Sequence, residues 1–322
     1  MAKTISVIIP VKPGGEVRAL WPLKSAEYPG DAFEVLISEG KSPSRQRNEG
    51  ASIASGEILY FLDDDSLAAP DCLQRISRHY EDSSVVAAGG PSLTLPTDSP
   101  VQKAFGLAFA SIFGGGGVRT RYRKVGKARS TGDSELILCN LSFRRDRFLA
   151  LGGFDERLYP NEENELMDRL VDSGGILIHD PDLAVNRSQR PTFRAFARQL
   201  FTYGRGRGEQ SRISGSVKPI ALAPALFLLY LASVPIVHKP IYSIPLLCYL
   251  ILNVTFSVLE AGRGGYPILV TRLLAIFPTF HLCYGAGVLI GLAFPRFRRP
   301  RESGEVKVSW VKRFGEPVSG ES

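Results

Sequence analysis

Cysteine is scarce in this chain, and what there is forms no pattern. Cys72, Cys139, Cys248 and Cys283 are scattered along 322 residues, with neither a zinc spacing nor the paired framework of a disulfide-stapled domain. A reducing, cytoplasmic setting for the soluble part follows. No GxGxxG follows the first apolar run, which argues against a dinucleotide site of Rossmann type. No nucleic-acid motif accompanies the formal net charge of +7, so nucleic acid is set aside as a partner. A cleavable leader is not expected either. Ile5 to Pro10 is too short for a signal h-region and ends in proline, so it reads as a strand.

What the chain does have is an abrupt change of character. Residues 1–215 carry charge throughout and read as a soluble α/β domain. From Pro219 to Phe294 the sequence is mostly apolar, broken at His238-Lys239-Pro240 and again around Glu260 to Gly265. Each of the three stretches so divided is about twenty residues long, near the length of a membrane span. A buried soluble bundle would need polar faces that they lack. Residues 216–295 are therefore expected to form a membrane region of two to three hydrophobic helices, and 296–322 a basic polar tail. Arg205, Arg207, Arg212 and Lys218 precede this region; Arg296, Arg298, Arg299 and Arg301 follow it. Positive charge on both flanks favours the cytoplasm for both. Three full spans would separate them, so one stretch is expected to be interfacial or re-entrant, and Pro219, Pro224 and Pro235 point to the first. The expected location is the cytoplasmic membrane, multi-pass, with the soluble domain facing the cytoplasm. The basic flanks also suit anionic headgroups.

Within the soluble part, ISVIIPV is an apolar strand stopped by Pro13, Gly14 and Gly15, and a helix follows through Leu20 and Leu23. FEVLIS, Phe33 to Ser38, is a second strand with Glu39 at its end. Ser44 to Asn48 lead into a helix that Gly56 terminates, and Ile58 to Leu62 form a third strand. This alternation predicts a mostly parallel, Rossmann-like sheet with right-handed crossovers. The third strand delivers Asp63, Asp64 and Asp65 at its C-terminal end, where open α/β sheets place their ligands. Carboxylates this crowded repel, and a divalent cation between them relieves the repulsion. Hard oxygen ligands suit Mg²⁺ or Mn²⁺, ions that usually keep company with substrate phosphates. An acidic turn capping the helix after Pro70 and Asp71 is the other reading of the same residues.

Four further features carry alternatives of their own. Glu162, Glu163 and Glu165 open a probable helix, where they suit the helix dipole or acid–base work. Gly114 to Gly117, followed by RTRYRK, reads as a mobile basic loop or a surface linker. Arg190, Arg194, Arg198, Arg205 and Arg207 line the approach to the apolar region, as phosphate contacts or as a solvated amphipathic face. His179, after the strand-like ILIH, reads as a satisfied core histidine rather than a metal ligand.

Together, ISVIIPV, Glu39, RQRNEGASIASGEILYFLDDD and GGFDERLYPNEENEL resemble an inverting family 2 glycosyltransferase of the GT-A (nucleotide-diphospho-sugar transferase) fold. FASIFGGGGVRTRYRK, GGFDE and RPTFRAFARQLFTYGRGR resemble the succinoglycan-type, membrane-anchored members of bacterial polysaccharide assembly. The resemblance implies that Pro10 lies beside the nucleotide base. Glu39 stands where the family has the aspartate that accepts from uracil. Arg47 and Asn48 match the Arg-Asn pair near the nucleotide, with Arg47 on the diphosphate. Asp63 and Asp65 match the DxD motif, Asp63 toward the ribose and Asp65 on the metal, with Asp64 between them in the donor site. Arg205 and Arg207 are expected to hold the donor diphosphate or the phosphate of a lipid-linked acceptor, with the solvated face as the other reading. Asn140 to Phe143, with Arg144 and Arg145, match the segment beneath the acceptor. In the family's Glu-Asp-x-Asp/Glu pattern, Glu163 stands where the base aspartate is, with Glu162 or Glu165 in support. Asn186 replaces a histidine that some relatives use as a further metal ligand.

The function so implied is metal-dependent, inverting transfer of a sugar from a nucleotide-sugar, a UDP-sugar by preference. The acceptor is a lipid-linked or membrane-associated saccharide. A polyprenyl-phosphate glycosyltransferase is the rival enzyme, and would need no base at Glu163. A non-catalytic nucleotide-sugar-binding membrane scaffold is the rival of another class.

Overall fold

The structure is a computed structural model that describes residues 2–297 and 304–318. Arg298, Arg299 and Arg301 of the basic flank lie outside the described residues. In chain order the elements begin β1 (Ile5–Val11), α1 (Leu20–Leu23), β2 (Phe33–Glu39), α2 (Pro43–Ile53), β3 (Ile58–Leu62), β4 (Leu67–Ala68) and α3 (Cys72–His79). There follow β5 (Val85–Gly89), β6 (Ser92–Thr94), α4 (Pro100–Ala110), β7 (Arg129–Thr131), β8 (Asn140–Arg144), α5 (Arg145–Ala150) and α6 (Glu162–Asp172). The chain ends with β9 (Ile176–His179), β10 (Val185–Arg187), α7 (Phe193–Ser214), α8 (Pro219–Ser233), α9 (Ile244–Arg263), α10 (Val270–Ala293) and β11 (Lys307–Lys312).

These elements sort into two compact units. Among the described residues, 2–93, 120–187 and 304–318 form the first, and 94–119 and 188–297 form the second. The division differs from the expected break at residue 215, because α4 and α7 group with the apolar helices and the tail returns to the first unit.

The first unit is built on an eight-stranded sheet in the order β11-β2-β1-β3-β8-β5-β9-β7. β2, β1 and β3 run parallel, as do β5 and β9. β11, β8 and β7 run antiparallel to their neighbours. The sheet is therefore mixed rather than mostly parallel. The mixture centres on β8, which pairs antiparallel with both β3 and β5 in the middle of the sheet. β1 is buried along its whole length. Ile5, Val7 and Ile9 enter one core cluster and Ile8 the other, which is why a strand covered on both faces reads as an unbroken apolar run. Phe61, Phe143, Phe148 and Phe154 interlock with every ring pair 5.0–5.9 Å apart, tying β3 and β8 to the loop after α5.

The tail expected to be a polar appendage closes one edge of this sheet. Trp310 of β11 donates to Glu34 Oε2 at 3.0 Å, and the buried Lys312 ammonium donates to the Phe33 carbonyl at 2.8 Å. Covering an edge in this way removes a template for aggregation. Trp310→Ala should lower unfolding stability by about 2 kcal/mol, since a half-buried ring and a hydrogen bond are lost together. Denaturant unfolding followed by circular dichroism checks this, and an unchanged midpoint would make the strand dispensable.

In the second unit, Pro240–Arg263 (24 residues) and Pro267–Ala293 (27 residues) are long and apolar enough to cross a membrane by length and composition. α8 has 15 residues and an internal Pro224, and falls short. The outer surface of α9 is apolar, with Leu247, Ile251 and Val254 each more than half exposed. α7 is not a free-standing basic helix, because it packs along α10 through glycines. A Cβ on Gly204 would stand 2.1 Å from the Tyr284 carbonyl oxygen, and one on Gly291 2.2 Å from that of Arg205. Only glycine permits so close a helix approach.

Candidate functional site

β3 is five residues of buried apolar chain, and the polar side chains begin where the sheet ends. The Ser66 amide donates to the Asp63 carbonyl at 3.1 Å, and the Ala19 amide to that of Asp64 at 2.9 Å. These bonds fold the three aspartates into a turn fixed on both sides. All three are partly exposed. The Asp64 carboxyl is pushed up from its ordinary range by burial first and then by the charges of Asp65 and Asp63.

The aspartates face guanidinium groups. Arg187 Nε lies 2.5 Å from Asp65 Oδ1, and Arg187 Nη2 lies 3.1 Å from Asp63 Oδ2. The other oxygen of Asp63 takes Arg47 Nη2 at 2.8 Å, and Arg47 Nη1 reaches Glu162 Oε1 at 3.2 Å. A chain of alternating charge thus runs Asp65–Arg187–Asp63–Arg47, and the Arg47 hydrogen bond extends it to Glu162. It joins the end of β3 to the N-terminus of α6. Arg47, expected to hold diphosphate, is 5% exposed and engaged by two carboxylates.

Glu162 and Glu163 are both buried at the start of α6. The Glu162 carboxyl is pushed up to about 8, by burial first and by the Glu163 carboxylate second, against the pull of Arg47. Arg47 pulls weakly because it shares its charge with Asp63. Glu162→Gln should therefore gain stability over wild type as pH rises. A carboxyl whose folded value lies above its ordinary 4.5 stabilises the fold below that value and loses the contribution as pH climbs toward 8. Melting curves of both proteins from pH 5 to 9 test this, and a gap that closes with pH would mean that the Arg47 ion pair dominates.

The remaining acid has a different task. Arg169 Nε donates to Glu165 Oε1 at 2.7 Å, while its Nη2 donates to the Gly153 carbonyl at 2.8 Å. Asn48 completes the same brace. Its Nδ2 donates to the Phe154 carbonyl at 2.9 Å and to Glu156 Oε1 at 3.0 Å, and its Oδ1 accepts from the Phe154 amide at 2.9 Å. Gly153 has φ +68°, and a Cβ there would stand 2.6 Å from Asn48 Oδ1, so the turn requires glycine. Asn48, expected beside the nucleotide, spends its amide on this turn, as Glu165 spends its carboxylate through Arg169.

Pro10 lies buried opposite Ser38, and Glu39 ends β2 opposite Val11. Gln46, not singled out in the sequence, donates to the Val11 and Ser38 carbonyls at 2.8 and 2.5 Å and braces α2 against both strand ends. Arg205 and Arg207 lie in the second unit. Arg205 pairs with Glu209 at 2.9 Å, and Arg207 donates to Gln210 at 2.9 Å. Both ties lie within α7. RTRYRK is not a loop throughout: Gly116–Arg121 is a 3₁₀ helix. Arg121 is buried and donates to Asn164 Oδ1 at 2.6 Å, fixing the first turn of α6. His179 is buried and its Nδ1 lies 3.1 Å from the Glu135 carbonyl.

Arg187 was missed because its role depends on strand pairing. β10 runs antiparallel to β4, with Asn186 opposite Leu67. The next residue therefore runs back toward the aspartate turn, while Asn186 is exposed.

Asp63 and Asp65 converge on one cationic group, and their oxygens are hard donors suited to a divalent ion. Among the described residues no group of three or more His, Cys, Asp or Glu could hold a metal. The pair fits an ion that draws its other ligands from phosphate and water, as Mg²⁺ commonly does.

Residues 24–104 match the family model described as glycosyl transferase family 2. The chain is 24% identical over 205 residues to the pre-mycofactocin glycosyltransferase of Mycobacterium tuberculosis (strain H37Rv), across 62% of this chain and 40% of that protein. It is 31% identical over 132 residues to the glucosyl-dolichyl phosphate glucuronosyltransferase of Haloferax volcanii, across 39% of each. The chain thus spans about two fifths of the length of these curated relatives. The mannosyltransferase PcManGT from Pyrobaculum calidifontis, in complex with GDP-Man and Mn²⁺, superposes with a TM-score of 0.59 at 14% identity, over 91% of this chain and 88% of that one. The fold is mixed α/β of the GT-A type, followed by two apolar helices of membrane-crossing length.

Proposed function

We propose that this protein is an inverting glycosyltransferase. It transfers a sugar from a nucleotide-sugar to a lipid-linked or membrane-associated saccharide at the cytoplasmic face of the membrane, in cell-surface polysaccharide synthesis. The observation that carries the reading is the continuous polar network from Asp65 to Glu162, ion pairs through Arg187, Asp63 and Arg47 and a hydrogen bond from Arg47 to Glu162. It makes the donor-phosphate end of β3 and the acid cluster of α6 one rigid assembly, and such preorganisation is what group transfer demands.

A divalent ion held by Asp63 and Asp65 would neutralise charge on the departing nucleoside diphosphate. The rest belongs to the chain. Glu163 removes the acceptor hydroxyl proton as that oxygen attacks the anomeric carbon from the face opposite the leaving group. Glu162, pushed up to about 8 by its burial and by the neighbouring Glu163, holds its proton near neutrality, which supports Glu163 over Glu162 as the base. Arg47 holds Asp63 and Glu162 at a fixed separation. Pro10 and Glu39 flank the nucleotide base at the ends of β1 and β2.

The Haloferax relative's name gives a dolichyl-phosphate-linked sugar as its acceptor. Together with two helices of membrane-crossing length, this supports a lipid-linked acceptor here. The test is nucleotide release by the full chain in detergent with Mn²⁺, across a panel of UDP- and GDP-sugars, with and without a polyprenyl-diphosphate-linked saccharide. Release that depends on one donor and is accelerated by the acceptor is expected. Donor binding without release under any condition would leave a binding scaffold.

A further inference from the structure

Arg187 is the group most closely engaged with the two aspartates, and nothing above gives it a task. Its Nε lies 2.5 Å from Asp65 Oδ1 and its Nη2 3.1 Å from Asp63 Oδ2. A planar guanidinium holding two carboxylates through separate N–H groups is a strong, directional pairing. The three side chains are 21–26% exposed, so the pair is neither fully solvated nor sealed. Asp63 is further held by Arg47 at 2.8 Å, a buried residue committed also to Glu162. Arg47 is thus the fixed partner, and Arg187, on the short strand β10, is the exchangeable one.

We infer that Arg187 is a resident counter-cation of the aspartate pair, competing with a divalent ion and released to the donor diphosphate when that ion binds. This rests on the donor-site reading above. An ion that bridges the two aspartates through the oxygens Arg187 now holds, Asp65 Oδ1 and Asp63 Oδ2, repels the guanidinium at close range and displaces it. That displacement costs a charge-assisted ion pair and weakens the site for metal alone. A nucleoside diphosphate reverses the balance. It brings oxygens for the ion and, at the same time, an anion that takes the freed guanidinium in bidentate fashion. Metal and nucleotide are then positively coupled through Arg187, and by linkage each tightens the other by the same factor. The device also keeps the aspartates neutralised without donor, so their mutual repulsion is not left unrelieved.

The test uses the full chain in detergent micelles and reads free Mn²⁺ by electron paramagnetic resonance, with and without UDP or GDP. Arg187→Gln should bind Mn²⁺ alone about tenfold tighter than wild type, the weight of one part-exposed charge-assisted pair. The tightening of Mn²⁺ by nucleotide should shrink in that variant by a similar factor. Arg187→Lys keeps the charge but lacks the fork, and should fall between the two; it also serves if the glutamine variant is poorly folded. Wild type that binds Mn²⁺ with nucleotide, beside variants of unchanged or weaker Mn²⁺ affinity, would overturn the inference and leave the proposed function standing. No Mn²⁺ binding by any protein, with or without nucleotide, would overturn both this inference and the metal-assisted reading.

Discussion

Glu163→Gln is expected to lower turnover by about two to four orders of magnitude, the usual weight of a general base, with donor affinity almost unchanged. Glutamine keeps the volume and the hydrogen-bonding shape of a side chain that is 8% exposed, so folding is preserved while the proton acceptor is lost. The comparison that gives the result meaning is Glu165→Gln. Glu165 pairs with Arg169, which holds the Gly153 carbonyl, so its loss should lower the melting temperature more than it lowers the rate of the folded protein. Pre-steady-state transfer and nucleotide titrations on both variants separate these cases. If Glu163→Gln loses donor affinity and turnover equally, the residue belongs to the donor site. If it loses neither, the acceptor is better sought among phosphates, which need no base.

Asp65→Ala should cost about a hundred- to a thousandfold in turnover, the scale seen when a preorganised electrostatic contact to a developing charge is removed. It should also abolish Mn²⁺ binding. Asp65 is 26% exposed on its side chain and pairs with Arg187, so the fold is expected to survive the change. Asp63→Ala is the less clean experiment, because it also strips Arg47 of its ion pair and leaves a buried guanidinium facing Glu162 alone. Isothermal titration with Mn²⁺ and UDP or GDP, alongside the rate assay, reads the effect. A variant at position 65 that turns over near the wild-type rate at low metal would remove the aspartate turn from the mechanism.

The two units also change how the chain can be cut. Deleting everything after Ser214, a natural way to make a soluble fragment, removes β11 from the edge of β2. It also removes α10, against which the glycines of α7 pack. A fragment lacking these would expose a sheet edge and a helix face together, so loss of donor binding in it would not show that the apolar helices touch the donor.

Much of this was legible in the residues. Near-continuous apolar runs marked β1, β2 and β3, because strands buried on both faces do not alternate cleanly. Turn and breaker residues marked their ends. The aspartates after β3 and the acids opening α6 were visible as polar groups where burial stops. Lys307 to Lys312 gave no such signal, since an edge strand is covered on one side and can alternate polar with apolar.

By itself the sequence determined the strand-helix alternation, the acidic end of β3, the acid cluster of α6 and the apolar helices, because each depends on neighbours along the chain. Only the tertiary structure decided which of these groups meet. Arg47 and Glu162 are 115 residues apart, and Arg187 and Asp65 are 122 apart. Whether such charges pair is set by strand register and helix packing, which local pattern does not encode. The same packing turned Asn48 and Glu165 into braces for the glycine turn, and brought the tail back to the sheet as β11, since a polar group takes its role from the partner that burial brings to it.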